Sequence, residues 1–177
     1  DKMYVSSLLT AETRLQTQSE ADRNRTKAEI RRRQRAAAVR PWEAIRRFSS
    51  MIVLGEPGAG KTTYLYHLAY RCARRSQAEV ADHLPIFIRY RKLVQTISQI
   101  KRLEDSFAPT FADDYHFPNA DKFIARKLKQ GKLLVLLDGL DEVSDPTHYK
   151  RLVALTDTFA RNYVQDESGN RLIISSR

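Results

Sequence analysis

The sequence predicts an α/β domain built on a parallel sheet. Short apolar runs alternate with segments whose apolar residues recur at helical spacing. One run, 133–137, is apolar at every position, as expected of a strand covered on both faces. Another, 51–54, passes directly into the glycine-rich turn 55–60 and then into a helical pattern, which is the βα unit of a parallel sheet. The 177 residues, 42% of them apolar, suffice for one core and an appendage.

Two regions follow: a helical, arginine-rich segment over 1–48 and an α/β core over 49–177. Tyr4 and Val5 open the first with a short extended piece. Residues 19–39 are good helix formers without a wide apolar stripe, and 23–35 hold seven basic residues against one acid, Glu29. Pro41 suits the first turn of a short helix over 42–48, because its missing N–H is not needed there, and Trp42 is expected to pack this helix against the sheet.

From 49 onward the pattern is regular. Strand 51–54 leads through the turn to a helix marked by Leu65, Leu68, Ala69 and Cys72, on which Tyr64 and Tyr66 read as ordinary residues. Residues 85–88 form a second strand, 93–100 a helix, and 103–118, which carry aromatics and acids without a period, a surface loop. Asn119 is placed to cap the next helix, marked by Phe123, Ile124 and Leu128, and Gly131 to end it. Strand 133–137, an amphipathic helix marked by Tyr149, Leu152, Val153, Phe159 and Tyr163, and a fourth strand at 172–175 complete the core.

Charge narrows the classes of partner. Thirty-one Lys and Arg against 21 Asp and Glu leave +10, and residues 1–50 carry 12 of the basic and 6 of the acidic residues. A basic run attracts phosphate backbones, but 23–35 offers no aromatic to stack a base, so a solvated face is the plainer reading and a nucleic-acid arm the lesser one. A lone cysteine, Cys72, excludes an internal disulfide framework and fits a reducing compartment. No apolar run approaches the about 18 residues of a membrane span, so a cytoplasmic protein without a membrane partner is expected. His67, His83, His116 and His148 show no metal-ligand spacing with Cys72.

Gly55, Glu56, Pro57, Gly58, Ala59, Gly60, Lys61 and Thr62 match the phosphate-cradling pattern G-x-x-x-x-G-K-[ST], with Thr63 following. Bound phosphates must be desolvated without being left unpaired. Small residues let the backbone fold around them and point N–H groups inward, and the helix beginning near Lys61 adds its positive dipole end. Lys61 supplies a point charge to the β and γ phosphates, and the Thr62 hydroxyl a ligand to Mg²⁺. Asp138 ends the apolar strand at the sheet edge where ligands collect, and is expected to hold Mg²⁺ through water. Gly139 leaves room behind it.

Asp141 and Glu142 are the candidates for polarising the attacking water, and the sequence leaves open which one does so. Acids placed for a helix dipole are the alternative for either residue. Arg177 follows Ser175 and Ser176 at the end of the fourth strand. It is either a γ-phosphate sensor that stabilises transition-state charge or a surface arginine. Together the two motifs describe a P-loop NTPase, a three-layer α/β sandwich.

The run over 51–177 resembles the NACHT family of signal-transducing ATPases, the STAND branch of AAA+-like proteins and, among these, bacterial NLR-like members. The resemblance rests on 53–63 (VLGEPGAGKTT), 84–88 (LPIFI), 137–142 (LDGLDE) and 173–177 (IISSR). Its most specific element is Asp138-Gly139-Leu140-Asp141-Glu142, with a tiny residue directly after the Mg²⁺ aspartate and the acids displaced downstream.

The resemblance implies an ATP/ADP-dependent, Mg²⁺-requiring switch that hydrolyses slowly and self-associates through the core when a sensor region detects an unknown ligand. It implies that Arg177 is the sensor-1 arginine, on a strand lying between the two motif strands. It implies adenine as the base and a Tyr-Val segment near the base of the core, a weak match to Tyr4-Val5. The fifth core strand, helical lid and winged helix of the family are not among these residues. A portion of a larger protein with four of five core strands is therefore expected, with strand 51–54 at a sheet edge unless the N-terminal segment covers it. A nucleotide-locked interaction scaffold without useful turnover is the competing expectation.

Overall fold

The computed structural model describes residues 4–6, 41–165 and 168–177; the arginine-rich helix expected over 19–39 and the Trp42 side chain lie outside the described residues. β1 (Tyr4–Ser6), β2 (Ser50–Leu54), β3 (Leu84–Arg89), β4 (Leu133–Asp138) and β5 (Arg171–Ser176) form one sheet in the order β1-β2-β5-β4-β3. The last four are parallel, and β5 lies between the two motif strands β2 and β4. β1 runs antiparallel to β2 with Val5 opposite Val53, so the N-terminal segment covers the edge of β2.

Six α-helices are described: α1 (Pro41–Arg47), α2 (Lys61–Ala73), α3 (Tyr90–Thr96), α4 (Phe107–Tyr115), α5 (Asp121–Lys129) and α6 (Pro146–Tyr163). Side chains alternate across the pleat, so β4 feeds two cores at once. Leu134 and Leu136 join Met51, Val53 and Ile173 under Ile45 of α1 and Leu65, Leu68 and Cys72 of α2. Leu133, Val135 and Leu137 join Ile86, Ile88, Leu172 and Ile174 under Leu93, Phe107, Ile124, Leu152 and Phe159 of α3 to α6. All six residues of β4 are buried, which is why its sequence lacks polar alternation. Each buried leucine contributes about 1.5–3 kcal/mol, so a charge at Leu136 would remove that gain and strand an unpaired ion.

The segment 103–118 differs from the expected surface loop. It holds a 3₁₀ turn, Leu103–Ser106, followed by α4, and buries Leu103, Phe107, Thr110 and Phe111. The steps of four from Leu103 to Phe107 to Phe111 form an apolar stripe. Pro109 is tolerated because it stands in the first turn, where no intrahelical N–H bond is due. Asn119 does not cap α5: it sits at φ 59, and Ala120 is the capping position, without a side-chain bond. The predicted helix 93–100 starts earlier, at Tyr90, directly after β3.

Buried polar groups join these layers. Asn170, 2% exposed, donates to the carbonyls of Leu128 and Tyr163 and accepts from the Leu133 amide, tying the ends of α5 and α6 to the start of β4. Arg171 donates to the carbonyls of Ile45 and Phe48, fixing the end of α1 against β5.

Candidate functional site

β2 and α2 present the glycine-rich loop above the C-terminal edge of the sheet. Gly58 and Gly60 take positive φ values, 78 and 84, and a Cβ at either would meet no atom within 4 Å. The loop is therefore concave and open on its inner side. Helix α2 begins at Lys61, and its first intrahelical bond runs from the Tyr64 amide to the Gly60 carbonyl at 2.8 Å. The amides of Lys61, Thr62 and Thr63 precede that bond and have no partner within the helix. Thirteen residues of aligned peptide dipole stand behind them.

Thr62 projects from the first turn of α2 toward the end of β4. Its hydroxyl donates to the Asp138 carboxylate, 3.0 Å from Oδ2 and 3.1 Å from Oδ1. Asp138 is 5% exposed. On its other side Ser175, from the neighbouring strand β5, donates to Oδ1 at 2.6 Å and accepts the Gly139 amide at 2.8 Å. Lys61 Nζ donates to the carbonyls of Gly55 at 2.6 Å and Glu56 at 3.1 Å, so these two residues shape the loop from behind.

After Asp138 the chain turns sharply. Gly139 adopts φ 77. A Cβ there would lie 2.9 Å from Glu142 Cδ, so glycine makes room for the Glu142 carboxylate rather than leaving open space. Leu140–Glu142 form one 3₁₀ turn, which separates the two acids. Asp141 Oδ2 lies 2.6 Å from Arg177 Nε, with side-chain exposures of 16% and 61%.

These groups surround a cleft of about 360 Å³. Pro57, Gly58, Ala59, Gly60, Lys61, Thr62, Thr63, Asp138, Asp141, Glu142 and Arg177 line it; Gly55 and Glu56 do not. Ser175 also lines it. Sequence reasoning assigned Ser175 no role. The only signal was a hydroxyl two residues before Arg177, and its meaning depends on β5 lying beside β4.

The residues fit a Mg²⁺-bound nucleotide. Mg²⁺ prefers oxygen donors and keeps several waters, taking one or two carboxylates plus substrate phosphates. A single carboxylate within hydrogen-bond distance of a threonine hydroxyl supplies that donor set. The open left-handed turn, the three amides without a partner in the helix and Lys61 supply the complement to phosphate oxygens.

A family model described as the NACHT domain matches residues 49–177, most of the chain. No curated protein and no solved structure matches it. Among the described residues no helix is long and apolar enough to cross a membrane. The phosphate loop, the parallel strand order and the matched span agree, and the chain belongs to the NACHT family.

Proposed function

We propose that the chain is the nucleotide switch module of a larger cytoplasmic, NLR-like signalling protein, binding ATP or ADP with Mg²⁺ and hydrolysing ATP slowly. The observation that carries this is the cluster of Thr62, Asp138 and Ser175, seated beside the phosphate loop in one cleft.

Loop amides from Gly58 to Thr63 bind the phosphate oxygens, and Lys61 exchanges its carbonyl partners for the β and γ phosphates. Thr62 and Asp138 hold Mg²⁺, Asp138 through water. A Mg²⁺ ion held by these two residues would supply positive charge to offset that of the phosphates. Asp141 or Glu142 holds the attacking water, and Arg177 contacts the γ-phosphate. Its pairing with Asp141 gives the arginine two alternative partners, a carboxylate and a phosphate, and so a means to report which nucleotide is bound. Self-association through the core follows from that change of partner.

The test is binding of a fluorescent ATP analogue with and without Mg²⁺. The chain should bind it Mg²⁺-dependently and Lys61→Ala should lose at least about tenfold, a loss of 1.4 kcal/mol. Equal binding by the two proteins would remove the phosphate-loop assignment.

A second reading, a nucleotide-locked scaffold without useful turnover, draws on the same ion pair, which engages Arg177 and Asp141 with each other. Asp141→Asn combined with Glu142→Gln separates the readings. Normal signalling by the whole protein with both acids removed would favour the scaffold.

A further inference from the structure

A cavity of about 1200 Å³ lies away from the phosphate loop. It runs along the outer edge of β3, with α2 on one side and α4 and α5 on the other. We propose that this groove docks an acidic amphipathic helix of a partner protein, and four observations select that occupant.

An added β-strand is excluded by the edge itself. The Phe87 amide donates to the Tyr115 hydroxyl at 3.1 Å, and the hydroxyl donates back to the Phe87 carbonyl at 3.4 Å. Two residues earlier on the same edge, Pro85 has no N–H to offer. The main-chain bonds that strand addition requires are already spent or absent.

The rings of the groove are exposed, and Tyr66, Tyr70 and Phe123 each already have one stacking or cationic partner. Tyr66, Tyr70 and Tyr115 are 45%, 58% and 42% exposed. Tyr66 stacks on Phe87 with centroids 4.3 Å apart, and Arg89 lies 5.8 Å from its centroid while donating to its hydroxyl at 2.6 Å. Arg74 sits 5.6 Å from the Tyr70 centroid, and Lys127 5.8 Å from that of Phe123. Nucleobases need vacant ring faces; apolar side chains need only the rims and gaps between rings.

Charge sets the polarity of the occupant. Arg75 stands where β3 begins and Arg91 just past its end; both are exposed and neither forms an ion pair among the described residues. Lys127 adds a third cation near the first end, on the last turn of α5. Of the two acids lining the groove, Asp114 is already bound by Lys92 at 2.7 Å, leaving Asp82. The occupant is therefore apolar along one face and acidic beside it. The chain's own segment 23–35, with seven basic residues against one acid, has the wrong sign to fill the groove.

The experiment is fluorescence anisotropy with the 177-residue chain and labelled helical peptides of about 18 residues, some five turns. One carries Leu and Phe on one face and Glu on the other; its counterpart carries Lys in place of Glu. The acidic peptide should bind and the lysine version bind at least about tenfold more weakly. Arg91→Glu with Lys127→Glu should weaken the acidic peptide by about tenfold or more, whereas Lys150→Glu, exposed on α6, should not. If the double reversal does not melt like the parent, Tyr70→Ala, which removes an exposed ring, replaces it and should weaken binding likewise. Equal binding of both peptides, no binding of the acidic one, indifference of well-folded variants, or displacement of the acidic peptide by oligo(dT) would each overturn the proposal.

Discussion

Ser175 donates its hydroxyl to Asp138 at 2.6 Å and in the same position accepts the amide of Gly139 at 2.8 Å. One hydroxyl thus fixes both the Asp138 carboxylate and the turn that follows it. Partners of this kind orient metal-holding carboxylates, and losing them typically weakens metal binding about 10- to 100-fold. Ser175→Ala should therefore raise the Mg²⁺ concentration needed for nucleotide binding by at least about tenfold. Ser175→Thr, which keeps the hydroxyl and suits a strand, should retain most of it. A Mg²⁺ titration of bound fluorescent nucleotide measures both, and an unchanged midpoint in the alanine variant would dismiss the role.

Arg177 and Asp141 separate stability from activity. With 61% of the Arg177 side chain exposed, their ion pair adds no more than about 1 kcal/mol to folding. Arg177→Ala should melt close to the parent, yet, if Arg177 contacts the γ-phosphate as proposed, Mg²⁺-ATP turnover should fall about tenfold or more. Phosphate release assays read the second effect; unaltered turnover would return Arg177 to the class of surface residues.

Asn170 makes a prediction about the fold alone. Asn170→Leu would leave the Leu128 and Tyr163 carbonyls and the Leu133 amide without their partner in a buried place. At about 1–3 kcal/mol for each stranded group, with partial relaxation, the loss should be near 3 kcal/mol. Urea unfolding followed by circular dichroism gives the value. A loss under about 1 kcal/mol would mean that the three element ends are held by packing instead.

His83 predicts a pH dependence. Its Nε2 donates to the Gly169 carbonyl at 2.8 Å, while Nδ1 is buried without a partner among the described residues. Burial holds its pKa below the ordinary histidine value, chiefly by penalising the cation. The unfolded chain therefore takes up a proton, near pH 6.5, before the folded one does. The stability is fully present above about pH 6.5 and is lost as the pH falls toward the lower folded pKa. Unfolding free energies at pH 7.5, 6.0 and 5.0 should decline across that window, and His83→Gln should flatten the decline. A parallel slope in the variant would assign the dependence to other groups.

Much of the core was legible because its signals are local. The run 133–137 announces a strand buried on both faces, and 55–62 announce a phosphate loop whose residues are consecutive. What escaped was non-local or masked by composition. The steps from Leu103 to Phe107 to Phe111 were hidden by Pro109 and by Asp113 and Asp114, although the proline falls in the first turn of α4 and both acids face outward. Tyr66 read as an ordinary helical residue. Its stacking on Phe87 depends on β3 being the outer strand of the sheet, which no helical pattern reports.

By itself the sequence determined the kinds of element, the phosphate loop and the strand that delivers Asp138, since periodicity and motif chemistry are written along neighbouring residues. Tertiary structure decided the partnerships: Ser175 with Asp138, Asp141 with Arg177, and β1 along the edge of β2. The reason is physical. A hydrogen bond or ion pair forms only within about 3–4 Å, and which residues come that close is set by the order and register of strands distant in sequence.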